Sequence, residues 1–336
     1  MSMKYRRLGV SNLRVSELCL GTMMFGDQTA AAASADIVAC AAEQGVNYID
    51  TADVYKTGAS ERIVGACLAG KRDQWVLATK LGNKMAAAQN AGRYSRKWIV
   101  QETEASLQRL GTDYIDIQYL HRDYEEDDLE EPLRALDDLI RAGKIRYFGV
   151  SNFRGWRIAE IVRLCDRIGM PRPVVCQPYY NLLNRMPEVE ILPACASYGI
   201  GVTPYSPIAR GVLTGKYRPD QPPPEGTRVA RGDRRILETE WRPESLQVAE
   251  QLKAWCAGRG VSLMQFAVAW VLANRAVSSV IAGPRTLEQW QQYAPALDYR
   301  WTAEDEATVD ALVPVGHAST PGYSDPQYPI SGRRVA

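Results

Sequence analysis

The sequence predicts an α/β chain closed into a (β/α)8 TIM barrel, and three observations carry that prediction. Short apolar runs rich in β-formers recur eight times, segments of helical periodicity separate them, and unusual polar residues cluster where the strand runs end. Eight units suit closure better than an open sheet. Such a barrel takes about 250 residues, so in a chain of 336 the surplus is assigned to additions on one domain spanning 1–336.

In chain order, the opening from Tyr5 to Val15 reads as an N-terminal hairpin ahead of the first strand, Leu18-Cys19-Leu20. Ser34 is the expected cap of a helix over Asp36 to Gln44, closed by Gly45 before the strand Val46 to Ile49. Gly65 to Arg72 nearly spells a phosphate-binding loop, but it finishes a helix, and Arg72 stands where Ser or Thr is needed. The strand Trp75 to Ala78 follows, then Ser95 caps Lys97 to Leu110, and Gly111 leads to the strand Tyr114 to Leu120. Gly143, Gly169 and Gly199 similarly precede Ile145 to Val150, Val174 to Cys176 and Gly201 to Thr203. The acidic run Tyr124 to Glu131 suits the amino end of the next helix. Arg218 to Pro243, rich in Pro and Arg, is expected as a mobile surface loop (218–243). Leu263, Phe266 and Trp270 share a packed helix face, Ser279 to Ile281 is the last strand, and 314–336 form a C-terminal tail at the barrel mouth.

Composition narrows the function classes. Forty basic against thirty-nine acidic residues leave a formal charge of +1, so nothing points to nucleic acid or an anionic membrane. The longest apolar stretch, Phe266 to Ala273, falls far short of the roughly 20 residues that span a bilayer, and a cytoplasmic protein is expected. Seven unpaired, scattered cysteines read as reduced core thiols, and two distant histidines make a metal site improbable.

The polar residues at strand ends carry the chemistry. Asp50, Lys80, His121, Ser151, Asn152, Gln177, Tyr205 and Ser206 all fall at carboxyl ends, which in a closed parallel barrel surround one mouth. Asp50, Tyr55, Lys80 and His121 form a chemically sensible catalytic set. A tyrosine hydroxyl, with its ordinary pKa near 10, works better at neutral pH when a cation lowers that value. Lys80 supplies the cation, Asp50 keeps it charged away from water, and His121 orients or polarises a carbonyl oxygen. No side chain donates hydride, so a nicotinamide must.

The stretches Tyr48 to Tyr55, Ala78-Thr79-Lys80, Tyr119 to Arg122, Gly143 to Phe153 and Thr203 to Tyr217 resemble the aldo-keto reductase superfamily, in the correct order over about residues 4 to 300. That resemblance implies NADPH, with NAD as the other candidate, lying across the mouth without a Rossmann glycine fingerprint. By matched position, Gly21, Thr22 and Met23 line the nicotinamide, Ser151, Asn152 and Gln177 hold its carboxamide, and Tyr205 stacks on it. Ser206, Pro207, Ile208, Gly211, Leu213 and Lys216 match the pyrophosphate clamp. Gly283, Arg285, Gln289 and Gln292 match the adenosine end, where Arg285 suits a 2′-phosphate. The implied activity is reduction of a small carbonyl, sugar or aromatic aldehyde, with Tyr55 as general acid. Two alternatives stay open: an NAD-dependent alcohol or sugar dehydrogenase, and a cofactor-sensing accessory subunit like the channel-associated members of the superfamily. This chain departs from the pattern at Gln292-Tyr293, where the family has Glu-Asn, and in the acidic stretch after Arg122. Substrate identity and oligomeric state do not follow from the resemblance.

Overall fold

The computed structural model describes residues 3–330. Strands β1 (Tyr5–Arg7) and β2 (Arg14–Ser16) form the antiparallel hairpin. Eight parallel strands follow: β3 (Leu18–Gly21), β4 (Tyr48–Asp50), β5 (Val76–Leu81), β6 (Ile115–Leu120), β7 (Ile145–Ser151), β8 (Val175–Gln177), β9 (Gly201–Val202) and β10 (Val280–Ala282). Each lies beside its predecessor, and β10 pairs with β3. The ring shuts between β9 and β10 through a bridge of Val202 with Val277 and the bonds Ser278 N to Val202 O (2.8 Å) and Ile281 N to Pro204 O (3.0 Å). Every apolar run singled out as a strand is one.

Among the described residues the helices are α1 (Ala31–Glu43), α2 (Ala59–Leu68), α3 (Arg96–Leu110), α4 (Glu130–Arg141), α5 (Gly155–Ile168), α6 (Ile191–Tyr198), α7 (Arg234–Thr239), α8 (Pro243–Ala257), α9 (Leu263–Ala273), α10 (Leu287–Gln291) and α11 (Ala303–Leu312). Ser95 caps α3, accepting from Trp98 N, and Gly111 ends it in the left-handed conformation. The expected cap at Ser34 is wrong. Helix α1 starts three residues before Ser34, whose hydroxyl donates back to Ala30 O inside the first turn. Alanine is the best helix former, and the run Ala30 to Ala33 extends the helix past the capping residue. The near phosphate-loop ends α2 and the turn after it, as its context indicated.

Two apolar layers organise the molecule. One lies between sheet and helices and includes Leu77, Leu120, Phe148 and the α9 face of Leu263, Phe266 and Trp270. The other fills the barrel with Cys19, Tyr48, Val76, Ala78, Ile117, Tyr119, Val175 and Ile281. Side chains alternate along a strand, so membership of the inner layer fixes which residues face the axis. At Gly149 a Cβ would stand 2.6 Å from the Val175 side chain and 2.7 Å from the Tyr119 ring, so glycine there makes room for Tyr119 in the bore. The hairpin stops the amino-terminal end: Leu8 and Val15 join the inner layer, and Val10 N donates to Gly199 O.

The segment expected as a mobile surface loop contains α7, capped by Asp233, which also pairs with Arg228. It is fastened to the tail, since Arg235 donates twice to Asp325. Residues 331–336 of the expected tail lie outside the described residues. All seven cysteines are free thiols, five of them buried and Cys40 and Cys67 half-buried. No helix among the described residues is long and apolar enough to cross a membrane.

Candidate active site

Strand alternation delivers the chemistry to the mouth. Tyr48, Ala78, Tyr119 and Val175 face the bore, and two residues further along the same strands or just past them stand Asp50, Lys80, His121 and Gln177. The floor beneath them is closed by Tyr48 and Tyr119, whose buried hydroxyls share a hydrogen bond of 2.8 Å. Tyr55 arrives from the turn after β4. Backbone bonds from Thr51 to Ala78 and from Asp53 to Lys80 continue the β4–β5 ladder past Asp50, and Tyr55 N turns back to Ala52 O. Lys56 and Thr57 then hold left-handed φ values of 48° and 51°, a strained pair directly behind the phenol.

The four residues of the set converge. The Lys80 ammonium is fully buried and donates to Asp50 Oδ1 (2.5 Å), Thr51 O (2.7 Å) and the Tyr55 hydroxyl oxygen (3.2 Å). Asp50 Oδ2 accepts from Gln177 (3.1 Å). Burial alone disfavours the Lys80 charge, but Asp50 and Tyr55 outweigh it and the ammonium is retained. The Tyr55 and His121 rings meet edge to face, with centroids 6.1 Å apart. Burial, with Lys80 and Arg122 nearby, holds the His121 imidazole well below its ordinary pKa, so it is neutral at pH 7.

One electrostatic expectation is corrected. Lys80 does pull the Tyr55 pKa down, but burial pushes harder in the other direction, and the phenol sits above its ordinary value. Desolvation of a phenolate costs more than one ammonium already shared with a carboxylate returns. Tyr55 is therefore protonated at neutral pH.

A cavity of about 500 Å³ opens on Asp50, Tyr55 and His121, with Lys80 buried behind them. Of the residues matched to a cofactor, Gly21, Thr22, Met23, Ser151, Asn152, Gln177, Tyr205, Ser206, Pro207, Ile208, Gly211, Lys216, Gly283, Arg285, Gln289 and Gln292 all line it. Leu213 does not. Its side chain is fully buried in the outer core and its amide is taken by Ile208 O. The expected carboxamide holders are engaged with one another: Asn152 donates to His121 O and Ser151 Oγ and accepts from Tyr205, and Gln177 donates to Asp50. These bonds fix the three side chains around the opening.

Several lining residues escaped the sequence reading, among them Arg210, Arg228, Arg235, Met264, Gln327 and Tyr328. The density of arginine between 228 and 235 was the one visible signal of Arg228 and Arg235, and Arg210 lies inside the matched stretch Thr203 to Tyr217. Arg210 is held by Glu240 (2.6 Å), and that carboxylate also accepts from Tyr179 (2.7 Å). At the far end Lys216 is pushed down to about 8, first by burial and then by Arg285, Arg228 and Arg231. This end gathers cations: Arg228 is paired with Asp233, but only burial and like charges act on Lys216. The acids after Arg122 face elsewhere: Asp123 pairs with Arg157, Glu125 with Arg154, Glu126 and Asp127 with Arg93, and Asp128 accepts from the first amides of α4.

A buried Asp–Lys–Tyr set at the mouth of a parallel barrel, with cations at the far end of the cavity, suits an oxidoreductase. The Aldo/keto reductase family matches residues 17–314, and the chain belongs to that family. It is 36% identical to a probable voltage-gated potassium channel subunit beta of Arabidopsis thaliana over 88% of this chain and 92% of that one. Identity is 33% to an uncharacterised oxidoreductase, YrpG, of Bacillus subtilis (95% and 98% covered) and 32% to an L-glyceraldehyde 3-phosphate reductase of Escherichia coli O157:H7 (94% and 93%). The protein is an oxidoreductase enzyme, and its family works with nicotinamide cofactors.

Proposed function

We propose that this chain reduces an aldehyde or ketone with NADPH, Tyr55 being the general acid. The observation that carries this is the Tyr55 hydroxyl, 3.2 Å from a buried ammonium and facing the cavity beside a neutral His121. The bound nicotinamide supplies the hydride. The protein does the rest: Tyr55 gives its proton to the carbonyl oxygen as that oxygen gains charge, and Lys80 stabilises the phenolate left behind. His121, as a neutral hydrogen-bond donor, steadies the same oxygen.

The residues present suit an adenine dinucleotide with a 2′-phosphate. Ser206, Ala209 and Arg210 hold left-handed φ values of 57°, 47° and 47°, and Gly211 one of 103°, which folds the backbone back toward Lys216. Lys216, Arg228 and Arg285 would receive the extra phosphate. The substrate is a small carbonyl compound; the phosphorylated sugar aldehyde named for the Escherichia coli relative belongs in the trial panel.

The likeness to potassium channel beta subunits keeps a second reading, an accessory subunit that binds the cofactor and turns over slowly. Tyr55→Phe separates the two. The reductase reading expects NADPH binding, followed by fluorescence, to persist while turnover across a panel of aldehydes, sugars and ketones falls roughly 10²- to 10⁴-fold. An unchanged rate sinks the assignment of the acid. Negligible wild-type turnover with tightly retained NADPH favours the accessory role.

A further inference from the structure

Beside His121 stands a residue that no motif singled out. Asn83, two residues past the end of β5, has its amide nitrogen 2.9 Å from His121 Nδ1. It is held there firmly. Gly82, at φ 119°, lies against the Tyr94 ring, where any Cβ would come within 2.3 Å. Gly82 O accepts from both Arg93 N (2.7 Å) and the Tyr124 hydroxyl (2.9 Å). The Tyr94 hydroxyl joins the loop to the end of β6, donating to Arg122 O and accepting from Arg122 N. The imidazole is anchored from its own side, since His121 N donates to Leu81 O and His121 O accepts from Asn152.

We propose that Asn83 is a positioning residue for His121: by donating to Nδ1 it selects the neutral tautomer that carries its proton on Nε2, the ring nitrogen left to serve the cavity. An amide nitrogen donates and never accepts, so the Nδ1 facing it must offer a lone pair. A neutral imidazole has one N–H, and it must then sit on Nε2. The opposite tautomer would turn a lone pair toward the carbonyl oxygen, repelling the charge that builds there. Neutrality of His121 is supported by its burial and by the two cations nearest it, Lys80 and Arg122. The proposal rests on the assignment of Tyr55 and His121 made above.

The test begins with nitrogen NMR of the full chain with ¹⁵N-labelled histidine. The sequence has two histidines, so a His317→Asn variant assigns the signals. In the wild type, Nε2 of His121 is expected to be protonated and Nδ1 bare at pH 7, with and without NADP⁺. In Asn83→Asp the new carboxylate accepts a hydrogen bond from a protonated Nδ1, reversing the pattern. That variant is expected to lose roughly tenfold to a hundredfold in kcat, the scale seen when the group orienting a functional histidine is removed, with its NADPH affinity and melting temperature kept. Asn83→Gln, which keeps an amide donor, recovers part of the rate. A wild-type His121 protonated at Nδ1, or an Asn83→Asp enzyme with unchanged tautomer, overturns the proposal. His121→Ala tells the two levels apart. If it leaves turnover intact, the role of His121 itself falls; if it abolishes turnover while Asn83→Asp does not, only Asn83 is misassigned.

Discussion

At one end of the cavity Lys80 is sealed against a carboxylate, a carbonyl and a phenol, whereas at the other Lys216 meets burial and three arginines, with nothing of opposite sign acting on it. The first end spends its charge internally: Asp50 and Lys80 hold each other in place, and what reaches outward acts on neighbours such as Tyr55 and His121. The second keeps Lys216 among like charges, an arrangement that the proposed 2′-phosphate would relieve. Preorganisation suits a proton transfer that needs fixed distances. A binding end gains affinity from cations whose mutual repulsion is relieved only when an anion arrives.

The sharpest way to break this contrast is Lys80→Met. It strands Asp50 in the bore with Gln177 as its remaining partner and deprives Tyr55 of the cation that opposes burial. Turnover should drop roughly 10²- to 10⁴-fold, and stability by about 3–5 kcal/mol unless Asp50 takes up a proton. Steady-state rates and thermal melts measure both. If the protein melts unchanged and turns over normally, the sealed end has no role.

Next in size is the cationic end. Arg285→Ala should weaken NADPH binding about tenfold, or about 1.4 kcal/mol, with NADH affinity little changed; equal losses for both would remove the 2′-phosphate from the argument. Titration sharpens the same point. Lys216, near 8 in the free protein, should rise when a phosphate neutralises its neighbours, so NADPH binding takes up a proton around pH 8 and weakens as pH climbs through that value. Calorimetry in buffers of different ionisation enthalpy reads the uptake directly, and a proton count of zero would break the link. The smallest effect is expected at Tyr55. Because its pKa lies above the ordinary value, kcat should stay flat through neutral pH and decline only in alkali, where the phenol loses its proton. A decline centred near pH 7 would contradict that order.

How much of this could be read from the sequence follows the same divide. Strand runs and their terminal polar residues obey local rules, so Asp50, Lys80 and His121 were visible at the ends of β4, β5 and β6 without coordinates. Helix starts were less legible, since Ser34 satisfies a capping pattern that the preceding alanines override. Arg228 and Tyr328 reach the cavity from irregular segments and Arg235 from the short helix α7, where nothing short of the folded path says which side chains turn inward. The direction of the Tyr55 shift was hidden for another reason. It is a balance between burial and a neighbouring charge, and burial is a property of the whole surround.

The closure between β9 and β10 has a mechanical consequence. That seam rests on one bridge and a few backbone bonds, while β6 and β7 share five register pairs. The segment after β9, through Lys216, and the segment after β10, through Tyr293, both line the cavity. A ligand touching both segments would be a rivet across a joint thinner than that of β6 and β7. At a hundred times its Kd it would add about 2.7 kcal/mol to the folded state, and the amides of Ser278 and Ile281 are where slowed hydrogen exchange would show that the joint had tightened.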